Sequence, residues 1–298
     1  MITRTYTVTD ECTNTSADII HTINIEDTTA PTYTGSITDT TVEGCSTGDA
    51  PAAVTTVAAL EALAGTLAIS DNCTSDANLI VTSSDATAGT CPIVLTRTYT
   101  IEDECGNQLT NITHTINIDD TTAPTFTGSI STTNIEGCSI ADAPAAELTV
   151  AGLEALAGTL SISDNCTSDA NLIVSSSDIV VGSYPFVITR SYAVTDECGN
   201  ISAFFTHTIN IDDTTAPVFD IPPADILDTN DIGSCVATGI NLGTPTTSDN
   251  CTIASITNDA PASYPIGTTT VNWTVTDDAG NSTVVQQDVV IEDLNKDI

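Results

Sequence analysis

The chain is poor in basic residues and in bulky side chains. Of its 298 residues only four are Lys or Arg, and Trp and Met occur once each. The one lysine is Lys296, and the arginines are Arg4, Arg97 and Arg190. Against these stand 40 Asp and Glu, for a formal net charge of −36. Nucleic acid and anionic membrane are excluded as partners, because both carry the same sign. No apolar run reaches the roughly 18 residues of a membrane helix, so no membrane insertion is expected. Met1 leads directly into a β pattern with no leader-like apolar region. Lys–Asn isopeptide crosslinks are excluded from the body of the chain, since no lysine stands there. There is no Gly-x-Ser-x-Gly elbow and no Gly-rich phosphate loop, so no enzyme activity is expected. No Cys-x-x-Cys occurs and the histidines lie far from the cysteines, which argues against zinc.

What is present is a period. Asp27-Thr28-Thr29-Ala30-Pro31 returns as Asp120-Thr121-Thr122-Ala123-Pro124 and as Asp213-Thr214-Thr215-Ala216-Pro217. The spacing is 120 − 27 = 93 and 213 − 120 = 93. A fixed period of this size means tandem domains. The closing proline fixes φ and extends the residue before it, so each copy reads as a short, stiff linker. The boundaries that follow are a hairpin at 1–30, repeats at 31–123 and 124–216, and a shorter domain at 217–298. Ile2-Thr3-Arg4 matches Leu95-Thr96-Arg97 and Ile188-Thr189-Arg190 in register. Residues 1–30 therefore read as the last hairpin of a repeat whose other strands belong to a longer chain or to another subunit.

Period-two alternation of β-branched residues marks strands at 2–9, 18–25, 32–42, 67–70, 78–83, 93–102 and 109–118. One helical piece interrupts them, Val57 to Gly65, with Leu60, Leu63 and Leu67 on one side and Gly65 as its C-terminal stop. It recurs around Leu153-Glu154-Ala155-Leu156-Ala157-Gly158 and is missing from 217–298. The fold class is all-β, built from tandem immunoglobulin-like β-sandwich beads, two of them with a short helical insert.

Ten cysteines at regular spacings point to an oxidising compartment. Cys45 and Cys73 are 28 apart, as are Cys138 and Cys166, while Cys235 and Cys251 are 16 apart. These three pairs are the expected disulfides. A loop of 28 residues is worth about 3.6 kcal/mol in the chain-entropy model. Cys91 and Cys105 are the expected fourth pair. Cys91 is replaced by Tyr184 one period later, which leaves Cys198 without an intra-repeat partner, and Cys12 has none either.

The histidines, His21, His114 and His207, keep the same period and read as strand residues. Each arginine reads as the partner of a carboxylate on its own sandwich. The carboxylates are the candidate site. In a seven-stranded sandwich the turn between the last two strands returns to the pole where the preceding linker enters. That places Asp103 beside Glu26 and Asp27, Asp196 beside Asp119 and Asp120, and Asp277 beside Asp212 and Asp213. Carboxylates meeting there would repel, and Ca²⁺, which takes six to eight oxygen ligands, would relieve this. The alternative is a set of solvated acidic turns. The path of the cysteine-bearing segment leaves open whether Asp71, Asp164 and Asp249 join the same pole.

The domain at 217–298 carries a resemblance. Cys235, Asp249-Asn250-Cys251 and the run Tyr264-Pro265-Ile266-Gly267 through Trp273-Thr274-Val275-Thr276-Asp277-Asp278-Ala279-Gly280-Asn281 resemble the hyalin repeat (HYR) family. The two repeats before it echo this in Asp-Asn-Cys at 71–73 and 164–166 and in Asp-Glu-Cys-Gly-Asn at 103–107 and 196–200. The family implies an Ig-like, extracellular, adhesive protein. Repeats with the helical insert and the Asp-Thr-Thr-Ala-Pro linker are also similar to those of very large surface adhesins of gliding flavobacteria, which would imply type IX secretion. Asp-Thr-Thr resembles the O-glycosylation site of Bacteroidota, which would put glycan on Thr28, Thr121 and Thr214. The resulting expectation is the stalk of a cell-surface adhesin or filament, in contact with its neighbouring repeats and with an unidentified surface or glycan target. A glycan- or ice-binding module and an accessory region of a secreted enzyme are the competing readings.

Overall fold

The structure is a computed structural model, and it describes residues 1–182 and 184–294. It is nearly all-β, with 48% strand and 6% helix. The chain divides into two compact units. The first is Met1–Thr122 together with the turn Glu197–Asn200, and the second is Ala123–Asp196 with Ile201–Ile298.

In the first unit Ile2–Tyr6 and Ile19–Ile23 form a two-stranded antiparallel hairpin. A four-stranded sheet follows, in the order Thr40–Glu43, Gln108–Asp119, Ile93–Glu102, Ile80–Ala88. Its edge strand Thr40–Glu43 runs parallel to Gln108–Asp119. A small sheet of Thr32–Thr34 and Ala68–Ser70 faces it. Ile69 of the small sheet packs with Val81, Tyr99 and Ile101 of the large one, which makes the sandwich. Residues along Ile93–Glu102 alternate between buried and half-buried, as the period-two pattern requires.

The expected strand 32–42 is two strands in two sheets. Gly35 separates them at φ +76°, where an added Cβ would stand 2.1 Å from the Thr66 carbonyl oxygen. The helix is also shorter than the spacing suggests, Val57–Glu61. Thr56 Oγ1 caps it by accepting from Ala59 N at 3.2 Å. Val57 and Leu60 are buried in the core. Glu61 Oε1 accepts from Ile69 N at 2.7 Å and so fastens the helix to the small sheet. Gly65 is no helix stop. It bridges to Ile37, and an added Cβ would lie 2.2 Å from Ser36 O.

The second unit repeats this plan over 124–216, with the sheet Thr133–Glu136, Phe205–Asp212, Phe186–Thr195, Ile173–Val181 and the helix Val150–Ala155. It then adds the sheet Ile226–Thr229, Ser282–Glu292, Gly267–Asp277, Ile253–Asn258. That last part has no helix between its strands, and a polar network occupies its core. Trp273 Nε1 donates to Gln287 Oε1 at 2.9 Å. Gln287, 1% exposed, donates in turn to the carbonyls of Ala224 and Leu242.

Two of the three arginines, Arg97 and Arg190, pair as expected, while Arg4 is exposed. Arg97 Nε and Nη2 meet both oxygens of Asp85 at 2.8 and 2.9 Å, and Nη1 donates to Pro51 O at 2.7 Å. Arg190 does the same with Asp178 and Pro144. Opposite each arginine in the register stands a histidine, His114 or His207. Its Nε2 lies 2.8 Å from the Oγ1 of Thr40 or Thr133 on the parallel edge strand.

Two outcomes follow. Leu153 of the helix is fully buried, so Leu153→Ala should cost about 2–5 kcal/mol in the denaturant transition of the second unit. Burial, then the nearby Arg190 charge, pushes the His207 imidazole below its ordinary value of 6.5. The unfolded chain therefore takes up this proton first, and stability is full above 6.5 and lost as pH falls below it. Between pH 7.5 and 5.5 the wild type should lose more stability than His207→Asn, and equal losses would contradict the assignment.

Candidate metal and disulfide sites at the linkers

Each repeat ends its long hairpin in a tight turn that reaches a linker. In the first unit Asp103 opens this turn. Its Oδ1 accepts from the backbone N of Cys105 and Asn107, both at 2.8 Å. Asn107 Nδ2 donates to Asp103 Oδ2 at 2.7 Å and to the linker carbonyl of Asp27 at 3.1 Å. In the second unit Asn281 Nδ2 likewise bridges Asp277 Oδ2 at 3.0 Å and Asp213 O at 2.9 Å. The Gly-Asn pairs thus do more than shape the turn, because the asparagine amide holds the linker backbone.

The linker aspartates then meet the Asp-Asn-Cys segment. In the first unit one carboxylate oxygen each from Asp27, Asp71 and Asp103 lie within 4.8 Å of one another. In the second unit Asp213, Asp249 and the Cys251 sulfur form the corresponding group. Asp71 and Asp249, which the sequence left open, are therefore members. Glu26 and Asp212 are exposed and outside both groups. Asp277 is buried and reaches Asp213 only through Asn281. Asp119 lies by the Cys91 and Cys198 sulfurs. Asp120 and Asp196 fall in different units, and both are buried.

These groups contain orphaned oxygens. Asp27 Oδ2, Asp71 Oδ1, Asp213 Oδ2 and Asp249 Oδ1 are all buried without a hydrogen-bond partner. Asp213 is only 3% exposed. Burial pushes its carboxyl above the usual aspartate range, in spite of hydrogen bonds from Thr215 N and Asn250 Nδ2. A buried anionic oxygen with no partner is costly, and a hard cation is what such a pair of oxygens accepts best.

A second clasp was not evident from the sequence. Glu43, at the end of its edge strand, accepts from Thr121 N, Thr121 Oγ1 at 2.5 Å and Thr122 Oγ1 at 2.9 Å. Glu136 does the same with Thr214 and Thr215. The Thr214 and Thr215 hydroxyls hold the Glu136 carboxyl down at about 2. The only sequence signal was spacing, 136 − 43 = 93. Thr121 and Thr214, expected to carry glycan, use their hydroxyls as donors here, and O-linkage would remove those donors. Thr28 is exposed.

The disulfides correct the expectation drawn from spacing. Cys138 pairs with Cys251, 113 residues away. Cys91 pairs with Cys198, 107 residues away, within the first unit. Cys45 and Cys166 are also disulfide-bonded. Cys73, Cys105 and Cys235 are free and exposed, as is Cys12. None of the pairs Cys45–Cys73, Cys138–Cys166, Cys235–Cys251 and Cys91–Cys105 forms. The bonds join a repeat to the next one: Cys91 stands just before the long strand Ile93–Glu102 and meets the Asp-Glu-Cys turn, and Cys138 stands just after the edge strand Thr133–Glu136 and meets the Asp-Asn-Cys segment. Where Tyr184 replaces the cysteine, its hydroxyl accepts from Asp213 N and holds the linker by a hydrogen bond.

No protein-family model matches the chain, and no curated protein matches it. Among solved structures it is similar to the human desmocollin-1 ectodomain, at 12% identity and TM-score 0.27, over 97% of this chain and 66% of that one. It is also similar to the protocadherin γB4 extracellular domain, at 12% identity and TM-score 0.31, over 97% and 54%. A third is the sialic acid binding region of a Streptococcus sanguinis adhesin, at 13% identity and TM-score 0.21, over 90% and 78%. The chain thus spans about two-thirds and about half of the first two.

Peptide mapping without reduction should recover Cys91–Cys198 and Cys138–Cys251, with Cys12, Cys73, Cys105 and Cys235 alkylated in the native protein. Recovery of Cys45–Cys73 or Cys235–Cys251 would restore the intra-repeat scheme.

Proposed function

We propose that this chain is a stalk segment of an extracellular, cell-surface adhesin of the HYR type, whose linkers are held by disulfides and by Ca²⁺. Its task is mechanical spacing and not catalysis. The observation that carries the reading is the buried, unpartnered carboxylate oxygens at two linkers, on Asp27 and Asp71 and on Asp213 and Asp249, in residues whose carboxylates come within 4.8 Å of each other. Asp27, Asp71 and Asp103 would hold one ion, and Asp213 and Asp249 another. Bound Ca²⁺ supplies positive charge that neutralises these carboxylates. The chain's own residues prepare the place: Asn107 and Asn281 fix the linker carbonyls, while Glu43 and Glu136 fix the linker threonines. The Cys138–Cys251 bond spans the same linker as the Asp213 group. A covalent bond and an ion at one joint suit a segment that bears tension. Disulfides fit a protein exported to an oxidising environment. The likeness of the repeats to those of gliding flavobacterial adhesins favours type IX secretion as the route, with other repeats of the chain as the immediate neighbours.

Calorimetric titration with Ca²⁺ and thermal melts in EDTA test this. Ca²⁺ at 100 times its Kd should stabilise by about 2.7 kcal/mol. Asp213→Asn with Asp249→Asn should remove the response of the second unit while leaving its melting in EDTA unchanged or higher, because the substitution also removes the repulsion. Absence of binding heat and of any melting shift would refute the metal.

A further inference from the structure

In the second unit the strand Ile173–Val181 stands at the edge of its sheet. It pairs antiparallel with Phe186–Thr195, from Ile173 opposite Thr195 to Val181 opposite Val187, without a bulge. Among the described residues no strand pairs with its other side. Such an edge is a row of unpaired backbone N–H and C=O groups that a further strand can extend. Folded proteins blunt these edges with proline, with charge or with a bulge. This strand, Ile-Val-Ser-Ser-Ser-Asp-Ile-Val-Val, has no proline and no lysine. Arg190 holds both oxygens of its one carboxylate, Asp178, at 2.8 and 2.9 Å. Asp178 therefore brings no unbalanced charge to the edge.

The corresponding strands of the other repeats differ. Ile253–Asn258 is bulged between Ile253 and Ser255. Ile80–Ala88 stands 93 residues earlier (173 − 80 = 93) and, over its first six residues, differs only in Thr82 for Ser175. It then ends in Ala86-Thr87-Ala88 where the later strand has Ile179-Val180-Val181. Those three larger residues are 63%, 44% and 60% exposed. Packing within their own sandwich does not account for them. Ile173, at the other end of the strand, is 65% exposed.

The change makes the strand self-complementary. Laid antiparallel on a second copy about Ser177, Ile173 meets Val181, Val174 meets Val180, Ser175 meets Ile179 and Ser176 meets Asp178. Apolar ends cover apolar ends, and a small polar residue lies on the two-fold axis. The same pairing of Ile80–Ala88 would set Ile80 against Ala88 and Val81 against Thr87. Alternation places Ile173, Ile179 and Val181 on one face of the sheet, beside Thr195, Thr189 and Val187 of the neighbouring strand. None of these carries charge. In a chain of net charge −36, a second copy meets least repulsion at such a neutral place.

We propose that Ile173–Val181 is a homotypic docking edge, which joins two copies of this chain through an antiparallel strand pair centred on Ser177. The pair makes one continuous sheet of two four-stranded ones and engages the outward backbone groups of both edges. Ile173 of each copy packs on Val181 of the other, and Ile179 on Ser175. The same patch serves both copies, so the contact closes at a dimer. Salt strengthens it by screening the negative charge that the two copies carry elsewhere. The site uses no linker carboxylate, so it stands or falls apart from the Ca²⁺ reading.

The test uses the full chain with Cys12, Cys73, Cys105 and Cys235 replaced by Ser, in EDTA, so that neither free thiols nor Ca²⁺ can link copies. Sedimentation equilibrium should show a monomer–dimer equilibrium that tightens as NaCl is raised. Ile179→Ala with Val180→Thr and Val181→Ala installs the earlier repeat's residues at three exposed positions. It should raise the dimer Kd at least about tenfold and leave the thermal melt unchanged. In the same background Ser177→Cys puts a thiol on the two-fold axis and should oxidise to a disulfide-linked homodimer. Ile173→Cys should not link to itself, but should link to Val181→Cys when the two chains are mixed. A chain still monomeric at about 1 mM in high salt would overturn the proposal and leave the edge to a strand of a different protein. A dimer indifferent to the triple variant would overturn it as well, as would Ile173→Cys linking to itself as fast as Ser177→Cys.

Discussion

The arrangement depends on one electrostatic constraint, the meeting of anionic groups at each linker. The chain is built almost without cations, and two of its three arginines, Arg97 and Arg190, are spent inside the sandwiches. Arg97 and Arg190 bond Asp85 and Asp178 and the backbone of the edge segments. The linker carboxylates are therefore satisfied by backbone N–H groups, asparagine amides and threonine hydroxyls. These donors run out before the oxygens do. The remainder includes Asp27 Oδ2, Asp71 Oδ1, Asp213 Oδ2 and Asp249 Oδ1. A protein that buries such oxygens at a repeating position has either accepted a recurrent cost or left room for an ion.

The other linker contacts divide the work. The asparagine of each hairpin turn fixes one linker carbonyl, and the edge-strand glutamate fixes the linker threonines. The disulfide closes the joint. By the chain-entropy relation a loop of 113 residues is worth about 4.8 kcal/mol and one of 28 residues about 3.6. The long connection thus gains only about 1 kcal/mol more.

Much of this was legible from residues alone. The period of 93 revealed the repeated plan of the two units. Alternation found Ile93–Glu102 and Gln108–Asp119 almost to the residue, and the scarcity of cations identified the arginines as internal partners. The convergence of Asp27 and Asp103 followed from strand direction. The cysteine pairing did not follow, and the reason is the period itself. In a repeat every cysteine has equivalent partners inside its own copy and in the next one, and spacing cannot distinguish them. The split at Gly35 was hidden because it depends on the approach of the Thr66 carbonyl, a contact 31 residues away (66 − 35 = 31). Glu43 and Glu136 were hidden because a glutamate at the end of an edge strand looks like ordinary surface charge until the parallel pairing with Gln108–Asp119 or Phe205–Asp212 brings it beside the linker.

The central claim is that the orphaned carboxylate oxygens are cation ligands. Its most direct test is a crystal structure of the chain grown with millimolar CaCl₂ and recorded at a wavelength where calcium scatters anomalously. The account predicts anomalous peaks touching Asp213 Oδ2 and Asp249 Oδ1, and touching Asp27 Oδ2 and Asp71 Oδ1. Peaks absent from both places, with the carboxylates turned to solvent or bridged by water, would contradict it.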